Sequence, residues 1–131
     1  MSVISAGLVT RTRINGTIEY LFIEYKKYHG LHGLCGGHSE GDETEIDTIT
    51  REFREELGVD VFPTKKLHTM PSDIKGDTIN IWECNLNSED FVIQKNEIVA
   101  AKWFSHPEII NSPELFFPAI HQFFKKSHTL L

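Results

Sequence analysis

Residues 37–59 read GHSEGDETEIDTITREFREELGV, and the run that decides the reading is Arg51-Glu52-Phe53-Arg54-Glu55-Glu56-Leu57-Gly58-Val59. Ile46, Ile49, Phe53 and Leu57 recur at steps of three and four, which predicts a helix with an apolar stripe laid on a sheet. Asp42 is the expected N-cap, with Glu45 as its capping-box partner, and Gly58 supplies the left-handed position that ends the helix. Glu52, Glu55 and Glu56 then share one flank beside the stripe. Like charges one turn apart repel, so this helix calls for a cation. Hard divalent cations take oxygen ligands, and Mg²⁺ commonly pairs one or two carboxylates with substrate phosphates. Solvated acidic helices usually mix lysines with their glutamates, and this segment contains none.

Outward from the helix, Tyr28 to Gly37 holds four of the nine glycines and is expected to be a loop whose backbone can approach a ligand closely. Before it, Val3 to Thr12 and Ile18 to Lys26 read as a hairpin around Asn15-Gly16. After it, Val59 to Met70, Asp77 to Asn87 and Val99 to Phe104 read as strands. A last helix is expected to begin at Ser112-Pro113-Glu114 and to bury Phe116, Phe117, Ile120, Phe123 and Phe124. Hairpins mixed with helices predict an α/β or α+β class, a mixed β-sheet sandwiched between helices.

The chain has 131 residues, enough for one domain over residues 1–131 with one real core. A net charge of −6 argues against a nucleic-acid backbone as partner. It leaves room for a phosphorylated small molecule, because bound metal inverts the local field. Cys35 and Cys84 are the only cysteines and match no zinc spacing. Two free thiols fit a reducing cytoplasm, and one disulfide remains an alternative. No apolar run is long enough to span a membrane, so the expected location is cytoplasmic.

Gly37, five residues, Glu43, seven residues, then Arg51-Glu52-Phe53-x-Glu55-Glu56-x-Gly58-Val59 resembles the signature of the Nudix hydrolases at every fixed position. Seven identities at ~6% usage, with two apolar sites, put a chance match on the order of 10⁻⁷. Glu97-Ile98-x₄-Trp103-Phe104-Ser105 resembles a segment near the end of that fold. Two departures touch no charged position: Cys35 stands where proline is frequent, and Gly41-Asp42 replaces a frequent Pro-Gly.

The resemblance implies cleavage of a phosphoanhydride bond in a nucleoside di- or triphosphate derivative, with Mg²⁺, or Mn²⁺ in its place. It implies Glu52 and Glu56 as main metal ligands, Glu55 as a ligand or general base, and the Gly37 carbonyl as a further ligand. Arg51 would orient Glu55, Glu43 would tie the loop to the helix, and Gly58 would close the motif. Relatives are often homodimers. The readings left beside this one are a nucleotide-sensing module without hydrolysis and a hydrolase of nucleotide sugars or dinucleoside polyphosphates.

Outside the motif, Glu97 is a candidate for completing the metal site or acting as base, weighed evenly against an exposed loop glutamate. His38 follows the glycine pair, where a basic residue in relatives often faces substrate phosphate, though an ordinary polar loop residue is the slightly commoner case. Lys26, with Lys27, is a candidate phosphate partner, though a solvated lysine is the commoner case. Tyr25, Tyr28, His29 and His32 could stack on a base, while most histidines read as surface. Trp103, Phe104, Phe116 and Phe117 read as core before base platform. Cys35 has no base placed beside it for nucleophilic work.

Overall fold

The computed structural model describes residues 2–93 and 96–127. The strands are β1 (Ser2–Thr12), β2 (Ile18–Tyr25), β3 (His32–Gly33), β4 (Cys35–His38), β5 (Val61–Pro71), β6 (Asp77–Leu86) and β7 (Ile98–Ser105). The helices are α1 (Glu45–Leu57), α2 (His106–Asn111) and α3 (Pro118–Lys126). The sheet is mixed, as the sequence predicts. β1 runs parallel to β6 and antiparallel to β2 and β4, so it forms the branch between two sub-sheets. β5 lies outside β6, while β3 and β7 flank β2.

Strand alternation sorts the core into two layers. Ala6, Leu8, Tyr20, Phe22, Ile79 and Ile81 face α2 and α3, meeting Ile109, Phe116, Ile120 and Phe124. Val9, Leu21, Ile23, Cys35 and Cys84 face α1, meeting Ile49, Phe53 and Leu57. Gly7 lies between these on β1 because a β-carbon there would stand 2.8 Å from Cε1 of Phe53. Burying these side chains stabilises the fold by about 1.5–3 kcal/mol each for the larger ones.

Several local expectations change. The glycine-rich stretch after Tyr28 is not all loop, because β3 and β4 form within it on neighbouring strands. The cap of α1 is Thr44 rather than Asp42. Its hydroxyl accepts the Asp47 amide at 3.1 Å, and Asp47 accepts the Thr44 amide at 3.2 Å. Glu45 instead reaches Trp82 Nε1 at 2.8 Å and Lys66 Nζ at 2.9 Å. Ile46 falls off the apolar stripe and is exposed. Pro113–Leu115 is a single 3₁₀ turn, and α3 begins only at Pro118. Phe116 is therefore core through a bridge to His32, outside any helix. A short α2 also forms ahead of that turn, capped reciprocally by Ser105 and Glu108. His32 is buried, with Nδ1 2.8 Å from the Leu115 carbonyl.

Candidate active site

β4 and α1 set the site. Along β4 the Cys35 side chain and the β-carbon position of Gly37 point to α1, while Gly36 and His38 belong to the opposite face. Two residues apart on the strand thus meet two glutamates one turn apart on the helix. Cys35 Sγ lies 3.6 Å from Oε2 of Glu56. A β-carbon on Gly37 would stand 2.5 Å from Oε1 of Glu52. The Glu52 carboxylate fills the place of the missing side chain.

Glu56 is 3% exposed. Burial, then a hydrogen bond and repulsion from Glu52, push its carboxyl up to about 9. Glu52 is raised as well, mainly by burial, so the two carboxyls form a pair that holds a proton. Burial and the same glutamates keep the Cys35 thiol neutral, which removes it as a nucleophile.

Arg51 holds the rim of the site. Nε donates to Glu43 at 2.7 Å and Nη2 donates to the other Glu43 oxygen at 3.2 Å, a two-pronged grip. Nη1 donates to Glu52 at 3.0 Å and to Glu55 at 3.2 Å, and Nη2 donates to the His38 carbonyl at 3.0 Å. The expected Arg51–Glu55 contact is present, but the Glu43 grip is the shorter one. Glu43 also accepts the Glu40 amide at 2.9 Å, so the loop before α1 is fastened to the helix. The guanidinium pulls the Glu43 carboxyl down to about 2. Gly58 has φ +66° and donates its amide to the Arg54 carbonyl at 3.1 Å.

The candidates outside the motif fall as follows. Glu97 is exposed in the turn before β7, and its carbonyl accepts the Lys26 amide at 3.0 Å. Its charge adds to the upward push on Glu56, so it faces the carboxylate pair electrostatically. The Lys26 side chain is exposed just past β2. His38 Nε2 lies 3.0 Å from Oδ2 of Asp77. Cys35 and Cys84 are both free thiols. Trp103 is half-buried beneath the Arg11 guanidinium, 4.4 Å from the ring centre.

What the sequence did not show is a cavity of about 340 Å³ on the α3 side of the sheet. Tyr25, Tyr28 and Phe117 form its aromatic end, with ring centres 5.2–6.2 Å apart in edge-to-face contact. Tyr25 is fixed by donating its hydroxyl to the Leu34 carbonyl at 3.1 Å. Gly36, Gly37 and His38 also line the cavity. Among the described residues β4 pairs only with β1, leaving its outer edge open between the aromatic cavity and the carboxylates. Phe117 lies far along the chain from Tyr25, and no spacing rule links them. Other depressions, beside Trp103 and along Arg11–Asn15, lie away from this edge.

The donor set suits a hard divalent cation that keeps water and phosphate ligands. A buried carboxylate beside a partly buried one, a proton held by the pair and a glycine that leaves Glu52 room all favour a positive charge at this point. Among the described residues, no group of three His, Cys, Asp or Glu side chains is arranged as a ready-made metal cage. Glu55 and Glu52 are instead turned to Arg51. No helix among the described residues is long and apolar enough to cross a membrane.

The NUDIX domain model matches residues 1–126. The chain is 27% identical over 84 residues to the CTP pyrophosphohydrolase of Escherichia coli (strain K12), covering 64% of this chain and 62% of that protein. It is 26% identical over 81 residues to the NAD-capped RNA hydrolase NudC of Enterobacter sp. (strain 638), covering 62% of this chain and 31% of that protein. Both alignments span less than two thirds of the relative. Among solved structures, a C. elegans Ap4A hydrolase superposes with a TM-score of 0.78 at 19% identity, over 96% of this chain and 94% of that one. At that identity the likeness speaks for the fold alone.

Proposed function

Because the chain belongs to the NUDIX family, we propose that it is a divalent-metal-dependent hydrolase that cleaves a phosphoanhydride bond of a small nucleotide. One observation carries the reading: Gly37 lines the aromatic cavity, and the β-carbon position of Gly37 meets Glu52. A base seated between Tyr25, Tyr28 and Phe117 would send its phosphates over the open edge of β4 towards the carboxylates.

Glu52, Glu56 and the Gly37 carbonyl would hold Mg²⁺ or Mn²⁺. When bound, the ion supplies charge neutralisation at phosphate and a more acidic water. Arg51 keeps Glu52 and Glu55 in place. Glu55, exposed on the same flank, or Glu97, from the turn before β7, accepts the proton of the attacking water. His38 and Lys26 meet the phosphate chain, with Asp77 holding the imidazole. The net charge of −6 fits a small nucleotide rather than a nucleic acid. The buried free thiols fit a reducing cytoplasm. The proposed assembly is a homodimer, which sedimentation of the purified protein tests.

The test is a panel of nucleoside triphosphates, dinucleoside polyphosphates, a nucleotide sugar and a capped oligonucleotide, each with Mg²⁺ and with EDTA. Chromatography should show a nucleoside monophosphate among the products, formed only with the metal. Equal turnover in EDTA would remove the metal mechanism. Tight binding of nucleotides with no turnover anywhere in the panel would favour a sensing module.

A further inference from the structure

The wall of the aromatic cavity is apolar apart from a few groups, and most of those are already engaged. His38 faces Asp77. Ser72 Oγ accepts the Ile74 amide at 2.9 Å and lies 3.1 Å from its carbonyl. Asp73, in the turn between β5 and β6, differs. Its Oδ1 accepts the Ala119 amide in the first turn of α3 at 3.0 Å. Among the described residues no donor stands against Oδ2. Asp73 also lines the cavity with Tyr25, Tyr28 and Phe117. Asp73 is exposed at the cavity, and the desolvation it does undergo raises its carboxyl.

We propose that Asp73 is a specificity-determining residue, whose free oxygen accepts a hydrogen bond from an exocyclic amino group of the nucleobase. The inference rests on the reading of the substrate as a nucleotide. The Ala119 amide holds Oδ1, which leaves Oδ2 as the acceptor for a base in the cavity that Asp73 lines. A cavity of about 340 Å³ accommodates a base. Aromatic rings accept any base, whereas a fixed acceptor discriminates. An amino group donates to Oδ2, and a carbonyl in its place sets lone pair against lone pair. Adenine and cytosine are therefore favoured over their deaminated forms, hypoxanthine and uracil. A hydrogen bond to a charged group supports a preference of about 10- to 100-fold.

Asp73 also satisfies an orphan amide at the start of α3, a purely structural task. Asp73→Asn separates the two roles, because the amide oxygen still accepts from Ala119 while the other position becomes a donor. Asp73→Ala removes both. The experiment measures kcat/KM for ATP against ITP and CTP against UTP. It also measures binding of AMP, IMP, CMP and UMP in EDTA by calorimetry. Thermal melting of both variants accompanies it.

The expected result is an amino preference in the wild type that Asp73→Asn abolishes or reverses in both turnover and binding, with its melting temperature kept. An unchanged preference in a folded Asp73→Asn, with only Asp73→Ala losing stability, would make Asp73 a helix cap and overturn the proposal. If no nucleotide is hydrolysed but the monophosphates bind with the amino preference, hydrolysis is refuted and the role of Asp73 stands. If no monophosphate binds and no nucleotide is turned over, both readings fall.

Discussion

Gly37 and Glu52 occupy one space: the carboxylate of the glutamate stands where the side chain of the glycine would be, 2.5 Å from the position of its β-carbon. The clashing atom is the far end of a flexible side chain. Gly37→Ala should therefore fold and melt much as wild type, while swinging Glu52 away. A shift of about 1 Å in a positioning group costs roughly 10²-fold in rate. Gly36→Ala is the contrast, because its β-carbon would collide with the Ser5 carbonyl and stand 2.6 Å from Ala6 Cα. That backbone cannot step aside, and overpacking typically costs about 1–3 kcal/mol. Thermal melts beside steady-state rates distinguish the two. A fully active Gly37→Ala would detach Glu52 from the chemistry.

The Glu52–Glu56 pair makes metal-free stability fall as pH rises. Glu56 has a folded pKa of about 9 against an ordinary value of 4.5. Below 4.5 both folded and unfolded chains carry the proton, and nothing is lost. Between those values the unfolded chain releases its proton while the folded one keeps it, so folding weakens with each step in pH. Melting temperatures in EDTA should drop from pH 5 to 9, and Glu56→Gln should flatten that slope. Parallel slopes would show that the pair is not protonated. Added Mg²⁺ should oppose the drop and release protons on binding.

Arg51→Ala should reduce kcat by about 10²-fold or more and lower the melting temperature, since Glu43, Glu52, Glu55 and the His38 carbonyl lose their donor and Glu40 loses an ion pair at 3.4 Å. Arg51→Lys should rescue little, because an ammonium cannot reproduce the fork. Arg54 pairs at 2.7 Å with Asp60 on the surface. Its alanine variant should stay within about 0.5 kcal/mol of wild type. Equal losses at both arginines would strip Arg51 of its special place.

Glu55 and Glu97 compete for the role of base. Single-turnover rates of Glu55→Gln and Glu97→Gln decide between them. Loss of the base should slow the chemical step by roughly 10²–10⁴, and the other variant should react near the wild-type rate. If both variants react normally, the proton leaves to solvent and neither residue is the base.

The sequence made α1 legible because periodicity, charge crowding and a terminal glycine agree over one short stretch. It misplaced the cap because Asp42/Glu45 and Thr44/Asp47 both satisfy the same spacing, and only the packing of Glu45 against Trp82 and Lys66 separates them. β4 was hidden because two glycines carry no strand propensity, although the register with Ile4 to Gly7 makes that strand the floor of the site. The cavity was invisible for another reason. Tyr25, Asp73 and Phe117 come from three distant segments, and nothing in their local sequence records that they meet.

The parallel pairing of β1 with β6 also constrains the order of assembly. Ser2 is registered with Asp77, a separation of 75 residues, and Val9 with Cys84. Contacts this distant in sequence slow folding, because the intervening chain must be ordered before they form. During synthesis the first strand leaves the ribosome long before its partner exists. It can meanwhile form the hairpin with β2 and receive β4, but its other edge stays bare until β6 emerges. The same strand that carries the floor of the site is thus the one most exposed to mispairing in the nascent chain.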